Sequence, residues 1–147
     1  MFPSVQIDVK GLDVNSLYSF MLEFVQVSGK KLRYVSGFWT ENGKSETPTT
    51  QATYMHEQNI KLGSHWMKTP VSFEKIKITN QSNNPTAVLL NSLCRYYTRI
   101  YIRKIDGNVT KAVKIVDLHL TEFVTVTAYQ NVQVTMLKCF YNKNAKG

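Results

Sequence analysis

Arg99-Ile100-Tyr101-Ile102-Arg103, then Asp106-Gly107, then Val109-Thr110-Lys111-Ala112-Val113-Lys114-Ile115-Val116 is the stretch that decides the fold. Its first run alternates long polar side chains with isoleucines, the period of a strand with one face on a core and one in water. Asp-Gly closes tight hairpins because both residues tolerate positive φ. The β-branched run after it is the expected return strand, 109–116.

Outward from this hairpin the same period recurs. Tyr18, Phe20, Leu22 and Phe24 share one face, with Ser19 and Glu23 on the other. Ser4 to Lys10 alternates and stops at Gly11, and Leu32 to Val35 reads as a further strand. Asn42-Gly43 marks an expected turn inside a long polar surface loop, 41–53. Val71 and Phe73 lie one residue out of phase with Ile76 and Ile78, which predicts a bulge or a strand boundary at Glu74-Lys75. Beyond it Lys75, Lys77 and Thr79 point away from the isoleucines. Phe123-Val124-Thr125-Val126-Thr127-Ala128-Tyr129-Gln130-Asn131 starts as an alternating strand and ends in polar groups that a core strand would not choose. For the segment after it, Val132, Met136 and Cys139 fit a helical face that Asn131 would cap, while the β-branched residues also suit a strand. The helix is the favoured reading. Many short strands with turn signals and little helical periodicity predict an all-β chain, a β-sandwich in one domain without repeat or linker.

A chain of 147 residues is one domain by size and buries enough surface for a core without metal or disulfide staples. No apolar run approaches the ~20 residues of a membrane span, and no secretory leader is expected from residues 1–30. Cys94 and Cys139 are too few for a disulfide framework or a zinc site. Free thiols are the simplest state, with a single disulfide left open. The formal charge is +8, unevenly distributed: residues 1–60 hold five Lys/Arg against six Asp/Glu, and residues 61–147 hold thirteen against four. Cations gathered on one part of a folded domain make a field that attracts phosphates.

Catalytic constellations are missing from the sequence. His56, His65 and His119 are scattered, without metal-ligand spacing, and there is no nucleophile elbow, phosphate loop or dinucleotide fingerprint. Gly63-Ser64-His65-Trp66, read as a strand, would turn Ser64 and His65 to opposite faces, so no nucleophile–base pair is expected. Neither an enzyme, a cofactor nor a small-molecule substrate is predicted. Trp39, Trp66, Phe73 and Phe123 are expected in core packing rather than stacked on bases. The sequons Asn80-Gln81-Ser82 and Asn108-Val109-Thr110 fall at expected turns where asparagine is common anyway.

In order along the chain come Met1-Phe2-Pro3, Gly11-Leu12-Asp13, Tyr54-Met55-His56, Gly63-Ser64-His65-Trp66-Met67-Lys68, Lys77-Ile78-Thr79-Asn80, Leu90-Asn91-Ser92-Leu93, Thr121-Glu122-Phe123 and Ala128-Tyr129-Gln130-Asn131. This colinear set, spread over all 147 residues, resembles the T-box DNA-binding domain of the Brachyury type. The resemblance implies an immunoglobulin-like β-sandwich of the p53-like transcription factor class, with short C-terminal helices. It further implies a nuclear, developmental regulator of RNA polymerase II transcription that reads a duplex half-site with a GTG core, with a possible homodimer on paired sites and no membrane partner. The DNA-facing positions it implies are Lys77, Arg95, Thr127, Gln130, Asn131, Thr135, Lys138, Asn142, Lys143, Asn144, Ala145 and Lys146. Lysines there would neutralise phosphates and fix register, and polar side chains would add phosphate or base-edge hydrogen bonds.

Departures from the family pattern bear on the tail. The family usually ends Asn-Pro-Phe-Ala-Lys, where this chain has Asn142-Lys143-Asn144-Ala145-Lys146. Asn144 thus replaces an aromatic minor-groove wedge, and is expected to hydrogen-bond groove edges instead of packing on sugars. Lys143 in place of proline adds a charge and loosens the backbone. Cys94 stands where the family favours histidine. Both flanks of the family domain, including a major-groove arginine before Met-Phe-Pro, are expected to lie outside these residues. Two rival readings are an extracellular immunoglobulin-like module, to which the sequons would belong, and a T-box-like fold with weakened DNA binding that acts through protein partners.

Overall fold

The computed structural model describes residues 1–45, 47, 52–128 and 131–141. Its elements, in order, are β1 (Gln6–Ile7), β2 (Leu17–Gln26), β3 (Lys30–Val35), β4 (Phe38–Ser45), β5 (Thr53–Met55), β6 (Lys61–Leu62), α1 (Gly63–Lys68), β7 (Val71–Ser72), β8 (Ile78–Thr79), β9 (Val88–Leu89), β10 (Arg95–Asp106), β11 (Val109–Val124) and α2 (Val132–Tyr141). β11, β10, β2 and β5 form one antiparallel sheet in that order, which β6 joins through β2. Opposite it lie the short pairs β1–β7 and β8–β9, the latter parallel, while β3 and β4 form a separate hairpin.

The core sits between the layers. Tyr18, Phe20, Leu22 and Phe24 of β2 and Tyr96, Ile100 and Ile102 of β10 pack on Val5, Val71, Phe73, Ile76 and Leu90 from the other side. This is the β-sandwich expected from the period-two pattern, of the immunoglobulin-like class that the family resemblance implies, with sheets that do not close into a barrel. Trp66 ties α1 into it. Its ring lies 4.6 Å from Phe20, and its Nε1 donates to the Tyr18 carbonyl at 3.0 Å. α1 can approach this closely because Gly63 has no side chain: a Cβ there would meet the Asp13 carbonyl oxygen.

The 99–116 hairpin forms, but its turn lies one residue beyond the expected Asp106-Gly107: Asp106 stays in the strand, and Gly107 takes the positive φ (59°). Asp106 pairs with Val109 across the two-residue loop Gly107–Asn108. Its return strand runs further than expected, to Val124, because register shifts at Ile102/Arg103 and Tyr96/Thr98 absorb extra residues without ending the ladder. The phase slip at Glu74-Lys75 is a turn between β7 and Ile76, and it lets Phe73 and Ile76 both be buried.

Several local expectations are corrected. Asn42-Gly43 is not the turn. That role belongs to Ser36 and Gly37, with φ of 50° and 85°, the pair of left-handed residues that a two-residue hairpin requires. Gly43, at φ 65°, instead serves a bulge, where β4 advances from Glu41 to Ser45 while β3 advances from Lys30 to Leu32. The long surface loop is therefore shorter than 41–53, and Ala52 at its end is buried. The strand at Ser4–Lys10 contracts to Gln6–Ile7. Gly63–Trp66 is helical, not extended. Trp39 is half-exposed on the β3–β4 hairpin against Tyr34 (5.2 Å), since that hairpin stands apart from both core layers. Cys94 is a buried and Cys139 an exposed free thiol.

Candidate nucleic-acid interface

One end of the sandwich gathers β8, the turn between β9 and β10, and the exit of β11. Thr125 holds it together. Buried, it donates its hydroxyl to the Asn91 carbonyl at 2.6 Å and accepts from the Cys94 N–H at 3.1 Å. Its backbone carbonyl takes the Leu93 N–H at 2.9 Å, and its own N–H goes to the Cys94 carbonyl at 3.0 Å. These bonds hold Leu93 at φ 57°, a left-handed conformation that costs a leucine about 1–2 kcal/mol. Asn80 Nδ2 donates to Ser92 Oγ at 3.1 Å across the same end. The result is an open cleft of about 600 Å³, lined by Ile78, Thr79, Asn80, Gln81, Leu90, Ser92, Thr125, Val126 and Thr127.

From this cleft the chain passes into α2. Asn131 starts the helix as expected: its Oδ1 accepts the N–H groups of Gln133 at 2.8 Å and Val134 at 3.4 Å. Thr135 donates its hydroxyl to the Asn131 carbonyl at 3.2 Å. Both side chains thus have bonds within the helix. α2 buries none of its residues, and Val132, Met136, Leu137, Phe140 and Tyr141 all face solvent. Lys138, half-buried on α2, lies near the start of the chain. Burial first, then the Lys138 charge, pushes the Met1 amino group below its usual range.

Of the remaining positions, Lys77 is exposed immediately before β8, and Thr127 is exposed on the cleft wall. Arg95 begins β10, and its Nε lies 3.3 Å from Glu122 Oε1. Glu122 has no place among the expected site residues. It is the one carboxylate in residues 118–147, a stretch that otherwise carries only cations, and that isolation was its signal. Gln130 and Asn142, Lys143, Asn144, Ala145 and Lys146 lie outside the described residues.

Elsewhere several charges are paired. On the outer face of the large sheet Arg99 grips Asp117 with two bonds (Nε–Oδ1 2.5 Å, Nη2–Oδ2 3.1 Å), and Tyr101 donates to Glu23 at 2.6 Å. The Arg99 guanidinium holds the Asp117 carboxyl below the usual carboxylate range. Lys75, grouped by sequence phase with Lys77, instead reaches Glu57 at 3.3 Å. The histidines are similarly occupied. His56 is buried, with Nε2 3.0 Å from the Ser72 carbonyl and Nδ1 accepting the Gln58 N–H. His65 Nε2 lies 2.9 Å from Gln58 Oε1, and His119 packs on Tyr97 at 4.8 Å. Among the described residues no group of three or more His, Cys, Asp or Glu side chains could hold a metal ion.

The T-box family model matches residues 1–147. The chain belongs to the T-box family. It is 42% identical to a protein of Canis lupus familiaris named T-box transcription factor T, over 99% of this chain and 33% of that protein. It is 42% identical to T-related protein of Drosophila melanogaster, over 99% of this chain and 21% of that protein. T-box transcription factor TBX19 of Gallus gallus is 41% identical, again over 99% of this chain and 36% of its own length. The chain thus spans about a fifth to a third of the length of these curated relatives. Two of these relatives are named as transcription factors, which is consistent with a non-enzyme. The T-box order also accounts for the run ending Ala128-Tyr129-Gln130-Asn131: it leads from the Thr125 anchor into α2, and Tyr129 and Gln130 lie outside the described residues.

Proposed function

We propose that this T-box domain is the sequence-specific, duplex-DNA-binding part of a nuclear transcription factor acting on RNA polymerase II transcription. Its site is the half-site with a GTG core, and paired half-sites would carry two such domains. The observation that carries this reading is α2. A helix of ten residues with no buried side chain is marginal alone in water. Here it is capped and attached to the end of the sandwich where Lys77 and Arg95 lie. A partner is needed to cover it, and a duplex groove admits a helix while its phosphates take the neighbouring cations.

Thr127 and Gln130, before α2 in the chain, and Asn142 and Lys143 through Lys146, after it, are included as DNA-facing positions on the family order alone. In this arrangement Asn131 and Thr135 act mainly by starting the helix, Lys77, Arg95 and Lys138 neutralise phosphates, and Asn144 makes polar groove contacts.

Fluorescence anisotropy with Asn144→Phe tests the tail. Restoring an apolar wedge should raise the ratio of specific to nonspecific affinity. An unchanged ratio would remove the assigned role of Asn144.

A further inference from the structure

Part of the positive charge of the second half lies far from the cleft. Arg95 opens β10 at the cleft, and Lys104 is nine residues further along the same strand, about 30 Å away at strand rise. There Lys104 pairs directly with Lys111, and Ile102 with Lys114. Directly opposed residues share a face, so the three lysines lie along one side of the hairpin. Like charges opposed across strands are unfavourable. Lys104 has Asp13 nearby, whose carboxyl is held below its usual range by the Asn15 N–H first, then by Ser16, with a smaller contribution from Lys104. Lys111 and Lys114 are exposed, and neither has an ion-pair partner among the described residues.

The strand that carries them is an open edge. β11 is sixteen residues long and ends the sheet order, with β10 as its one strand partner among the described residues. Residues 109–115 are all exposed, including Val109, Val113 and Ile115. From Lys114 to Leu118 the pairing with β10 is regular, which leaves the outer N–H and C=O groups of that stretch in strand geometry. Ile115, opposite Tyr101, faces the other side of the sheet from Lys114.

We infer that the β11 edge is a docking site for an extended acidic peptide, added as a further strand. Unpaired ladder groups call for an extended chain, and lysines on one side with Ile115 on the other call for acidic side chains alternating with apolar ones. A second copy of β11 is disfavoured because its own Lys111 and Lys114 would meet these. The register shift at Ile102/Arg103 and the edge lysines are devices against such self-pairing. The same lysines that reject a like strand select an acidic one.

The probes are a synthetic peptide of alternating glutamate and valine, its glutamine-for-glutamate counterpart and a short GTG-containing duplex, each titrated into isotope-labelled protein. The acidic peptide should shift resonances within 109–118 and slow hydrogen exchange at alternate amides there. The glutamine peptide should bind about tenfold more weakly, as should the acidic peptide to Lys111→Glu/Lys114→Glu. Duplex binding by that variant should be unchanged, because about 30 Å is several Debye lengths at physiological salt. Retained duplex binding also reports that the variant is folded. The inference is overturned if the acidic peptide leaves 109–118 unperturbed, or if shifts appear without alternate-amide protection. It is also overturned if the duplex itself perturbs 109–118 and loses affinity with the lysines. Failure of the unaltered protein to bind the duplex, with the peptide results as expected, would count against the proposed function and leave the edge site standing.

Discussion

Phe73 and Phe140 carry the same side chain in opposite circumstances. Phe73 is 0% exposed between the two layers, beside His56 and Tyr54, whereas Phe140 is 80% exposed on α2 with Tyr141 as its ring neighbour. The sandwich is held by apolar burial and α2 by a cap at its first turn. The difference separates two kinds of residue, those that make the domain and those that wait for what it binds. Core packing gives a rigid end on which Thr125 fixes the cleft. The helix beyond it has no buried side chain.

The largest effect should come from breaking the first kind. Phe73→Ala is expected to cost about 3–5 kcal/mol in urea unfolding, while Phe140→Ser stays within about 0.5 kcal/mol yet weakens duplex binding. Equal losses from the two changes would erase the distinction. Next in size, Asn131→Ala should cost α2 about 1 kcal/mol, seen as lost helical signal and weaker duplex affinity with the unfolding midpoint of the sandwich unmoved. A shifted midpoint would mean that α2 and the sandwich unfold as one unit.

Charges divide in the same way. Arg99 keeps the Asp117 carboxyl ionised below its usual range, so this contribution to stability is present above about pH 4 and is lost as the pH falls through the lower folded value. The unfolding midpoint should therefore fall on acidification, and Asp117→Asn should reduce that fall. At the reading end the changes should be seen in binding. Lys138→Ala should flatten the log–log salt slope by about 0.9, one phosphate contact. The smallest effect is expected from Glu122→Gln. Releasing Arg95 from its ion pair should steepen the slope, and that steepening should vanish in an Arg95→Ala background. Persistence there would show a general field effect and no specific coupling.

The large sheet was legible in the sequence because burial of one face imposes period two, as at Tyr18–Phe24 and Arg99–Arg103. The Asn131 cap and the boundary at Glu74-Lys75 were legible for a similar reason, since each is set by neighbours in sequence. What escaped depended on distant partners. Asn-Gly at 42–43 is a good turn signal, but Ser36-Gly37 closes the hairpin because the pairing of Val35 with Phe38 demands left-handed φ there. Gly63-Ser64-His65-Trp66 carries no strong helix signal, and its form is set by the fit of Gly63 against Asp13 and of Trp66 under Tyr18. In the candidate interface, the family order implied Lys77, Arg95 and Thr127 as DNA-facing positions. It did not disclose that Glu122 pairs with Arg95, that Thr125 fixes the turn, or that Asn131 and Thr135 make bonds within α2.

The central claim is tested most directly by anisotropy of this chain with a GTG half-site duplex and with a scrambled duplex of equal length, at about 50 mM and about 200 mM salt. Tighter binding to the half-site at both concentrations, with affinity for both duplexes falling steeply as salt rises, is the predicted result. Equal affinity for the two duplexes, or binding indifferent to salt, would contradict it.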